Sequence, residues 1–206
     1  KSPKLLLMDE PLSALDRTSK AEILPYLERL HEQLTMPILY VSHAVEEVAR
    51  LADHLVLMEQ GRVQATGPLA QLFTRLDLPL ARGDQAEAIV ETRVAGHDDD
   101  FHLTYLEFPG GRFTVFRQPL EPGHPVRLRV HAKDVSLALT PAADSSILNI
   151  FPARVEELAE TGPAHTTVRL NAAGTTLLSR ITHKSVSRLG LAQGVEVYAQ
   201  IKAVAL

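Results

Sequence analysis

The 206-residue chain contains no cysteine and no tryptophan. Without cysteine it can form no disulfide, no thiolate zinc site and no cysteine nucleophile. The longest stretch free of Asp, Glu, Lys and Arg is residues 33–45, which is shorter than the ~18 apolar residues that a membrane-spanning helix needs. Lys and Arg (21) do not outnumber Asp and Glu (25), and the net charge of −4 gives no basic footprint for nucleic acid.

What is present is the composition of a globular protein, with 45% hydrophobic and 22% charged residues. The length allows one large domain or two modest ones. The first residue is Lys1 rather than methionine, and no signal peptide pattern opens the chain. We therefore expect the C-terminal fragment of a longer protein that is located in the cytoplasm.

Residues 1–76 show the alternation of strands and helices that is typical of an α/β domain. Two short apolar runs, residues 5–8 and 37–41, predict strands buried on both faces of a parallel sheet. Between them apolar residues recur every three or four positions, which predicts a helix with Asp16 or Thr18 as its N-cap.

The pattern changes to a β period after residue 85. Residues 77–85 contain Pro79, Gly83 and mixed charge, and they predict a linker. Alternating apolar residues and glycine turns follow, which predict an all-β region. The expected strands are residues 102–108, 112–116, 126–130, 166–170, 176–181 and 196–201.

A degenerate repeat runs through this β region. The pattern Leu-x-x-Gly-x-x-Val-x-x-x-[Val/Ile]-x-Ala occurs at residues 120–132 and again at 191–203, and Arg93-Val94 corresponds upstream to Arg154-Val155. The second copy is ten residues longer, and we assign the excess to residues 182–191 as a short helix. Either a β unit has been duplicated, or the spacing is one that small β domains share in general.

The strongest motif is residues 5–16, which read Leu-Leu-Leu-Met-Asp-Glu-Pro-Leu-Ser-Ala-Leu-Asp. Acids at the carboxyl end of a buried strand face the crevice where open α/β sheets bind ligands. One such acid can hold Mg²⁺, and a second can orient or deprotonate a water for attack on phosphorus. The string closely resembles the Walker B and D-loop signature of the ATP-binding cassette (ABC) ATPases.

In that family a histidine closes the next strand, and Ser42-His43 stands at the corresponding place. The resemblance implies four roles. Asp9 would be the magnesium-side acid, Glu10 the catalytic carboxylate and His43 the γ-phosphate sensor, while Asp16 would be the D-loop residue at the ATP-bound dimer interface.

The chain also departs from the family pattern. No glycine is followed by lysine, so the phosphate-binding loop is absent, and so is the Leu-Ser-Gly-Gly-Gln signature. The resemblance therefore implies an α/β partial ABC ATPase domain over residues 1–76, a P-loop NTPase fold whose N-terminal half is missing. We expect such a fragment to be inactive alone.

A second resemblance covers residues 145–206. Segments 145–149, 181–186, 189–191 and 201–203 are similar in order and spacing to the small molybdate-binding β domain of the Mop/TOBE type. It implies an all-β, OB-like barrel that follows a first β unit at residues 86–144.

A tetrahedral dianion is held by hydroxyls, backbone amides and a cation. The family ligands, which lie between subunits, correspond to Ser146, Thr182, Ser185, Lys202 and the Ala203 amide. Leu148 stands where some members have arginine, which leaves Lys202 as the one cation among these positions.

Together the resemblances imply an ATP-hydrolysing subunit of a molybdate or tungstate ABC importer. ATP and Mg²⁺ would be its cofactors, and molybdate or tungstate its regulatory ligand. It would act as a homodimer with transmembrane permease subunits, peripheral to the cytoplasmic face of the membrane, and would bind no nucleic acid. The alternatives are a stand-alone molybdate store or sensor, and an ABC ATPase for sulfate, sugar or iron.

Residues 97–102, His-Asp-Asp-Asp-Phe-His, could suggest a metal site. The two histidines lack the i, i+4 spacing of a zinc pair on a helix. We interpret the segment as a solvated acidic hairpin turn.

Overall fold

The structure is a computed structural model that describes residues 3–34, 36–141, 144–202 and 204, with the backbone alone at residue 32. Contacts divide the chain into two units, Lys1–Leu69 and Ala70–Leu206.

The first unit contains a two-stranded parallel sheet, two helices and a hairpin. Its elements are β1 (Leu6–Asp9), α1 (Arg17–Gln33), β2 (Ile38–Val41), α2 (Val45–Leu51), β3 (His54–Glu59) and β4 (Arg62–Pro68). β1 pairs with β2 in parallel, and β3 pairs with β4 in antiparallel fashion. The α/β character predicted for this part of the chain is confirmed.

Asp16 is the N-cap of α1, one of the two predicted candidates. Its carboxylate accepts a hydrogen bond from the backbone N–H of Ser19 at 2.8 Å, and this bond lowers the pKa of Asp16. Pro25 lies in the interior of α1 and does not mark its beginning.

The prediction that β1 and β2 are buried on both faces is wrong for this unit. Leu7 is 64% exposed and Leu39 is 54% exposed, while their neighbours along each strand are half-buried. Because side chains alternate across a strand, one face of the two-stranded sheet is shielded and the other is open.

The second unit consists of two antiparallel sheets, in the strand orders β7-β6-β5-β8 and β12-β11-β10-β13-β9. A short helix, α3 (Leu69–Phe73), stands at the start of the unit, and α4 (His183–Leu189) lies between β12 and β13. The strands are β5 (Glu87–Asp98), β6 (Leu103–Phe108), β7 (Gly111–Phe116), β8 (Pro125–His131), β9 (Val135–Ala138), β10 (Asn149–Glu160), β11 (His165–Ala172), β12 (Thr175–Thr182) and β13 (Glu196–Ile201).

The two sheets repeat one four-stranded β unit. In the first unit of the repeat the N–H of Gly123 donates to the carbonyl of Val94 at 2.7 Å, and in the second the N–H of Gly194 donates to Val155 at 2.8 Å. Each central strand has a register irregularity at the same place, after Val94 in β5 and after Val155 in β10. The two parts of the predicted repeat therefore share one strand arrangement, and α4 lies in the predicted extra residues. We call β5–β8 the first β unit and β10–β13 the second β unit.

The two β units are joined by strand exchange. β9 follows the first β unit in the chain but pairs with β13 of the second, and the Ser179 hydroxyl donates to the Val135 carbonyl of β9 at 2.6 Å. The buried Asn149 side chain bonds the backbone of Thr114, accepting from its N–H at 2.7 Å and donating to its carbonyl at 3.1 Å. One apolar core cluster draws residues from both β units.

The predicted linker, residues 77–85, packs inside the second unit. Leu76, Ala81 and Ala86 are buried with Leu178 in a small apolar cluster, and the segment forms a 3-10 turn at Pro79–Ala81. Burial of these side chains draws the segment into the β region, so the contact boundary falls at Leu69 rather than at residue 76.

We predict that Asn149→Ala lowers the free energy of unfolding of the second unit by about 2 kcal/mol, because it leaves the N–H and carbonyl of Thr114 without their partner. Urea denaturation followed by far-UV circular dichroism measures this. Gln85→Ala, which removes an exposed amide, is the control. A loss equal to that of the control contradicts the prediction.

Candidate functional site

The first unit brings Glu10 and His43 together at the carboxyl ends of β1 and β2. His43 Nδ1 lies 2.8 Å from Glu10 Oε1, and the backbone N–H of His43 donates to the same oxygen at 3.1 Å. Parallel pairing of β1 and β2 produces this meeting, because Asp9 at the end of β1 is opposite Val41 at the end of β2. The imidazole is 81% exposed and Glu10 is 33% exposed, so both reach solvent.

The backbone conformation of Glu10 orients its side chain. Its φ of +47° is a conformation that non-glycine residues seldom adopt. Its N–H donates to the Val41 carbonyl at 2.9 Å, and its own carbonyl accepts from both the N–H and the hydroxyl of Ser13. Asp9, which directly precedes Glu10, ends β1 and has an exposed side chain. Asp16 lies beyond the turn, where it caps α1.

A buried carboxylate stands behind His43. Glu47 of α2 is 2% exposed and accepts hydrogen bonds from Lys20 Nζ at 2.7 Å, from the Tyr40 hydroxyl at 2.8 Å and from the Ser42 hydroxyl at 2.8 Å. Ser42 in turn accepts from the N–H of Ala44, so the residues on both sides of His43 are held.

The Glu47 cluster consists of Glu47, Lys20, Tyr40 and Ser42. Burial raises the pKa of Glu47, but the hydrogen bonds from Lys20, Ser42 and Tyr40 and the charge of Lys20 outweigh it, so the pKa of Glu47 is lowered. Burial, and then the hydrogen bond to Glu47, raise the pKa of Tyr40. The sequence reasoning missed this cluster; the polar side chains of Tyr40 near the end of β2 and of Ser42 just after it, two residues apart, are the signal that could have found it.

In the second unit the structure joins two of the predicted oxyanion residues. The hydroxyls of Thr182 and Ser185 are 2.9 Å apart, and the Ser185 N–H donates to Thr182, which is the N-cap of α4. His183, which lies between them in the sequence, forms hydrogen bonds with the Thr166 hydroxyl and with the Gly162 carbonyl. Thr182 is exposed and Ser185 is half-buried.

Ser146 and Lys202 belong to the other end of β10. Lys202 directly follows the pair formed by Ile201 with Asn149, and Ser146 precedes Asn149 by three residues. Both side chains are exposed, and Leu148 between them is 66% exposed. Ala203 lies outside the described residues.

These two groups are separate in one chain. Thr182 pairs with His165, next to the Glu160 end of β10, whereas Lys202 follows the Asn149 end. In the described part of the chain no hydrogen bond or ion pair joins the hydroxyl pair to Lys202 or Ser146.

Residues 97–102 form the predicted hairpin turn between β5 and β6. His97 bonds the Thr104 hydroxyl at 2.9 Å and the Leu120 carbonyl at 2.8 Å. Asp98 accepts from the Phe101 N–H and the Tyr105 hydroxyl, and Asp99 pairs with Arg117. These side chains stabilise the turn.

Comparison with known proteins identifies relatives along the whole chain. Molybdenum import ATP-binding protein ModC 1 of Azotobacter vinelandii is 58% identical over 206 residues, which are all of this chain and 57% of that protein. Molybdenum import ATP-binding protein ModC of Aromatoleum aromaticum is 56% identical over 205 residues, 54% of its length. A family model for the TOBE domain matches residues 145–206.

The chain is a homologue of these ATP-binding proteins. Its residues 145–206 match the TOBE domain, and the chain spans a little more than half the length of the curated relatives it matches. Within the described residues no helix is long and apolar enough to cross a membrane.

One solved structure is also similar. The cytoplasmic molybdate-binding protein ModG with molybdate bound aligns with a TM-score of 0.49 and 24% identity, over 57% of this chain and 94% of that one.

We predict that Glu47→Gln lowers the free energy of unfolding of the first unit by about 2 kcal/mol at neutral pH, because charge-assisted hydrogen bonds are lost. The pKa of Glu47 is lower in the folded state than the ordinary value of 4.5. Its contribution is therefore present above that value and disappears as the pH falls through the lowered pKa.

Thermal unfolding of α1 and α2, followed by far-UV circular dichroism between about pH 7 and pH 3, measures both effects. The variant should lose less stability on acidification than the unsubstituted chain. Glu22→Gln on the exposed side of α1 is the control. Parallel pH profiles for Glu47→Gln and the unsubstituted chain would contradict the prediction.

Proposed function

We propose that this chain provides the water-activating part of the ATP-hydrolysing subunit of a molybdate or tungstate ABC importer. The observation that carries the proposal is the hydrogen bond between Glu10 and His43 at the ends of two adjacent parallel strands. The relatives are named molybdenum import ATP-binding proteins, and these names support both ATP as the nucleotide and molybdate as the cargo.

In this proposal Glu10 accepts the proton of the attacking water, or orients that water, at the γ-phosphate of ATP. His43 shares a hydrogen bond with Glu10 and is exposed, so it can contact the γ-phosphate while keeping the carboxylate in position. Asp9 ends β1 with an exposed carboxylate, and oxygen donors of this kind suit Mg²⁺, which would neutralise phosphate charge. Asp16 would contact a second subunit at the ATP-bound interface.

The second unit would sense the transported oxyanion. Thr182 and Ser185 offer a pair of hydroxyls, and Lys202 offers an exposed cation at the end of β10 that Ser146 precedes. A tetrahedral dianion is best held by both kinds of group. Because the two groups belong to opposite ends of β10, we propose that Thr182 and Ser185 of one copy meet Ser146, Lys202 and Ala203 of a second copy.

The homodimer would work at the cytoplasmic face of the membrane with transmembrane permease subunits. Oxyanion bound in the cytoplasm would then restrain further import. A stand-alone molybdate store or sensor has no use for the Glu10 and His43 pair, and the names of the relatives favour molybdate over sulfate, sugar or iron.

We predict that Glu10→Gln in the full-length protein lowers kcat for ATP hydrolysis by about 100-fold or more, with little change in ATP binding, because the proton acceptor is lost. His43→Ala should lower kcat in the same way. Phosphate release and nucleotide binding are measured in parallel, with Glu22→Gln as the control. Normal kcat in both variants would remove the catalytic assignment and leave the oxyanion proposal standing.

We predict that the purified chain binds molybdate, measured by isothermal calorimetry, and that Lys202→Ala and Thr182→Ala each abolish the binding. If the site lies between copies, a mixture of the two variants restores it. In a mixed dimer one of the two sites is intact, so an equimolar mixture recovers about one quarter of the wild-type sites.

Ser146→Ala should weaken molybdate binding. A mixture of Ser146→Ala with Lys202→Ala should not restore full binding, because both residues belong to the same half of the site. Lys184→Ala, an exposed lysine on α4, is the control. No recovery in the mixture of Lys202→Ala and Thr182→Ala would contradict the site between copies, and unchanged heats in both single variants would contradict these ligands altogether.

A further inference from the structure

The duplication gives each strand-end residue of the second β unit a counterpart in the first. In the second β unit Asn149 pairs with Ile201, and the corresponding pair in the first β unit is Ala88 with Val130. One step outward along the same strands, Leu148 and Lys202 of the second β unit therefore correspond to Glu87 and His131, which face each other in the register of β5 and β8.

Glu87 and His131 belong to a buried ionic cluster with Arg129. Glu87 is 1% exposed, and Arg129 Nε donates to its two carboxylate oxygens at 3.2 and 3.1 Å, with the Arg129 Nη2 atom 3.1 Å from Oε2. His131 Nδ1 lies 3.3 Å from Oε2. This nitrogen is buried and has no hydrogen-bond partner in the part of the chain that the structure describes. We call these three residues the Glu87 cluster.

Burial distinguishes this cluster from its neighbour on the same strands. Glu91, four residues after Glu87 on β5, forms an ion pair with Arg127 of β8, and its carboxylate is 65% exposed. Burying a carboxylate is unfavourable unless cations and hydrogen bonds compensate for the loss of water. In the Glu87 cluster an arginine and a histidine converge on a single anion, which is the arrangement that an anion-binding site requires.

The strand that carries Thr182 packs beside the Glu87 cluster. Leu178 of β12 is buried with Ala86 and Ala132, the residues next to Glu87 and His131. Further along β12, Arg180 pairs with Asp84 at 2.7 Å, and the strand ends at Thr182. The ends of β5 and β8 that carry Glu87 and His131 therefore lie next to β12 of the second β unit.

We propose that Arg129 and His131 form an anion-binding position in the first β unit and that the Glu87 carboxylate is its built-in occupant. An external oxyanion is therefore excluded from the first β unit and binds at the second alone. This inference deepens the proposed oxyanion function and rests on it for the identity of the external ligand, but the occupied position can be tested without molybdate.

The test replaces the attached carboxylate by a free one. Glu87→Ala removes a group of the size of acetate, so acetate should bind in its place and restore stability. We expect acetate to raise the Tm of Glu87→Ala by about 3 to 6 °C at a concentration about tenfold above its dissociation constant. Sodium chloride at the same ionic strength corrects for general salt effects.

Matched variants separate this response from ordinary salt stabilisation. Glu91→Ala removes the exposed carboxylate of the same strand, and Glu87→Gln fills the position with a neutral group; neither should respond to acetate beyond the unsubstituted chain. Glu87→Ala/Arg129→Ala should lose the response. An equal acetate effect on Glu87→Ala and Glu91→Ala overturns the proposal.

A second measurement needs no variant of Glu87 to fold. In calorimetry Lys202→Ala should bind no molybdate, because the first β unit is already occupied. Molybdate binding that persists in Lys202→Ala and disappears in Lys202→Ala/Arg129→Ala overturns the proposal. If the unsubstituted chain binds no molybdate, the proposed oxyanion function fails, and the acetate response of Glu87→Ala still decides whether Glu87 occupies an anion position.

Discussion

The second unit depends on one backbone hydrogen bond that occurs twice, each time from a glycine just before a strand to a residue within the long strand that pairs with it. It is made by Gly123 to Val94 and again by Gly194 to Val155. Both glycines have φ close to +90°, where a Cβ atom would introduce strain. The bond sets the register of each central strand with its neighbour, and this register brings Glu87 opposite His131 in the first β unit. The backbone register, and not the anion, therefore determines where an anion is held at the ends of these strands.

In the first unit the corresponding constraint is the parallel pairing of β1 with β2. It brings two polar strand ends together, and the positive φ of Glu10 turns the chain so that its carboxylate meets His43. A strained residue of this kind persists only where its surroundings hold it. Here the hydrogen bond from Glu10 to the Val41 carbonyl holds one side, and the Glu47 cluster holds the residues around His43. The buried carboxylate of Glu47, through Ser42, thus helps to hold the backbone on both sides of His43.

Local patterns predicted the local features well. The apolar runs of β1 and β2, the Asp16 cap and the repeat around Gly123 and Gly194 each depend on residues close in sequence. The two central strands β5 and β10 were missed, because their irregularities after Val94 and Val155 interrupt the alternation of apolar residues and Pro152 lies within β10. The exchange of β9, the burial of residues 77–85 and the Glu47 cluster depend on contacts between distant segments, which no short window of sequence contains. The candidate ligands were assigned by resemblance, and only strand pairing could separate them into two groups.

The two β units therefore share one strand register but have different residues at its end. In the first, a carboxylate attached to the backbone is always at the position of Arg129 and His131, and attachment gives it an effective concentration that a free anion cannot match. In the second, the apolar Leu148 stands at the position of Glu87, and we propose that the exposed Lys202 binds an external oxyanion. A ligand that needs Lys202 from one copy and Thr182 from another must favour the associated state, and association must favour the ligand to the same degree, since the coupling between two binding equilibria is reciprocal. Because Glu87 occupies the anion position of the first β unit, this coupling is confined to the interface between copies. An oxyanion bound within a single chain would respond to the oxyanion concentration but would not favour association of two chains.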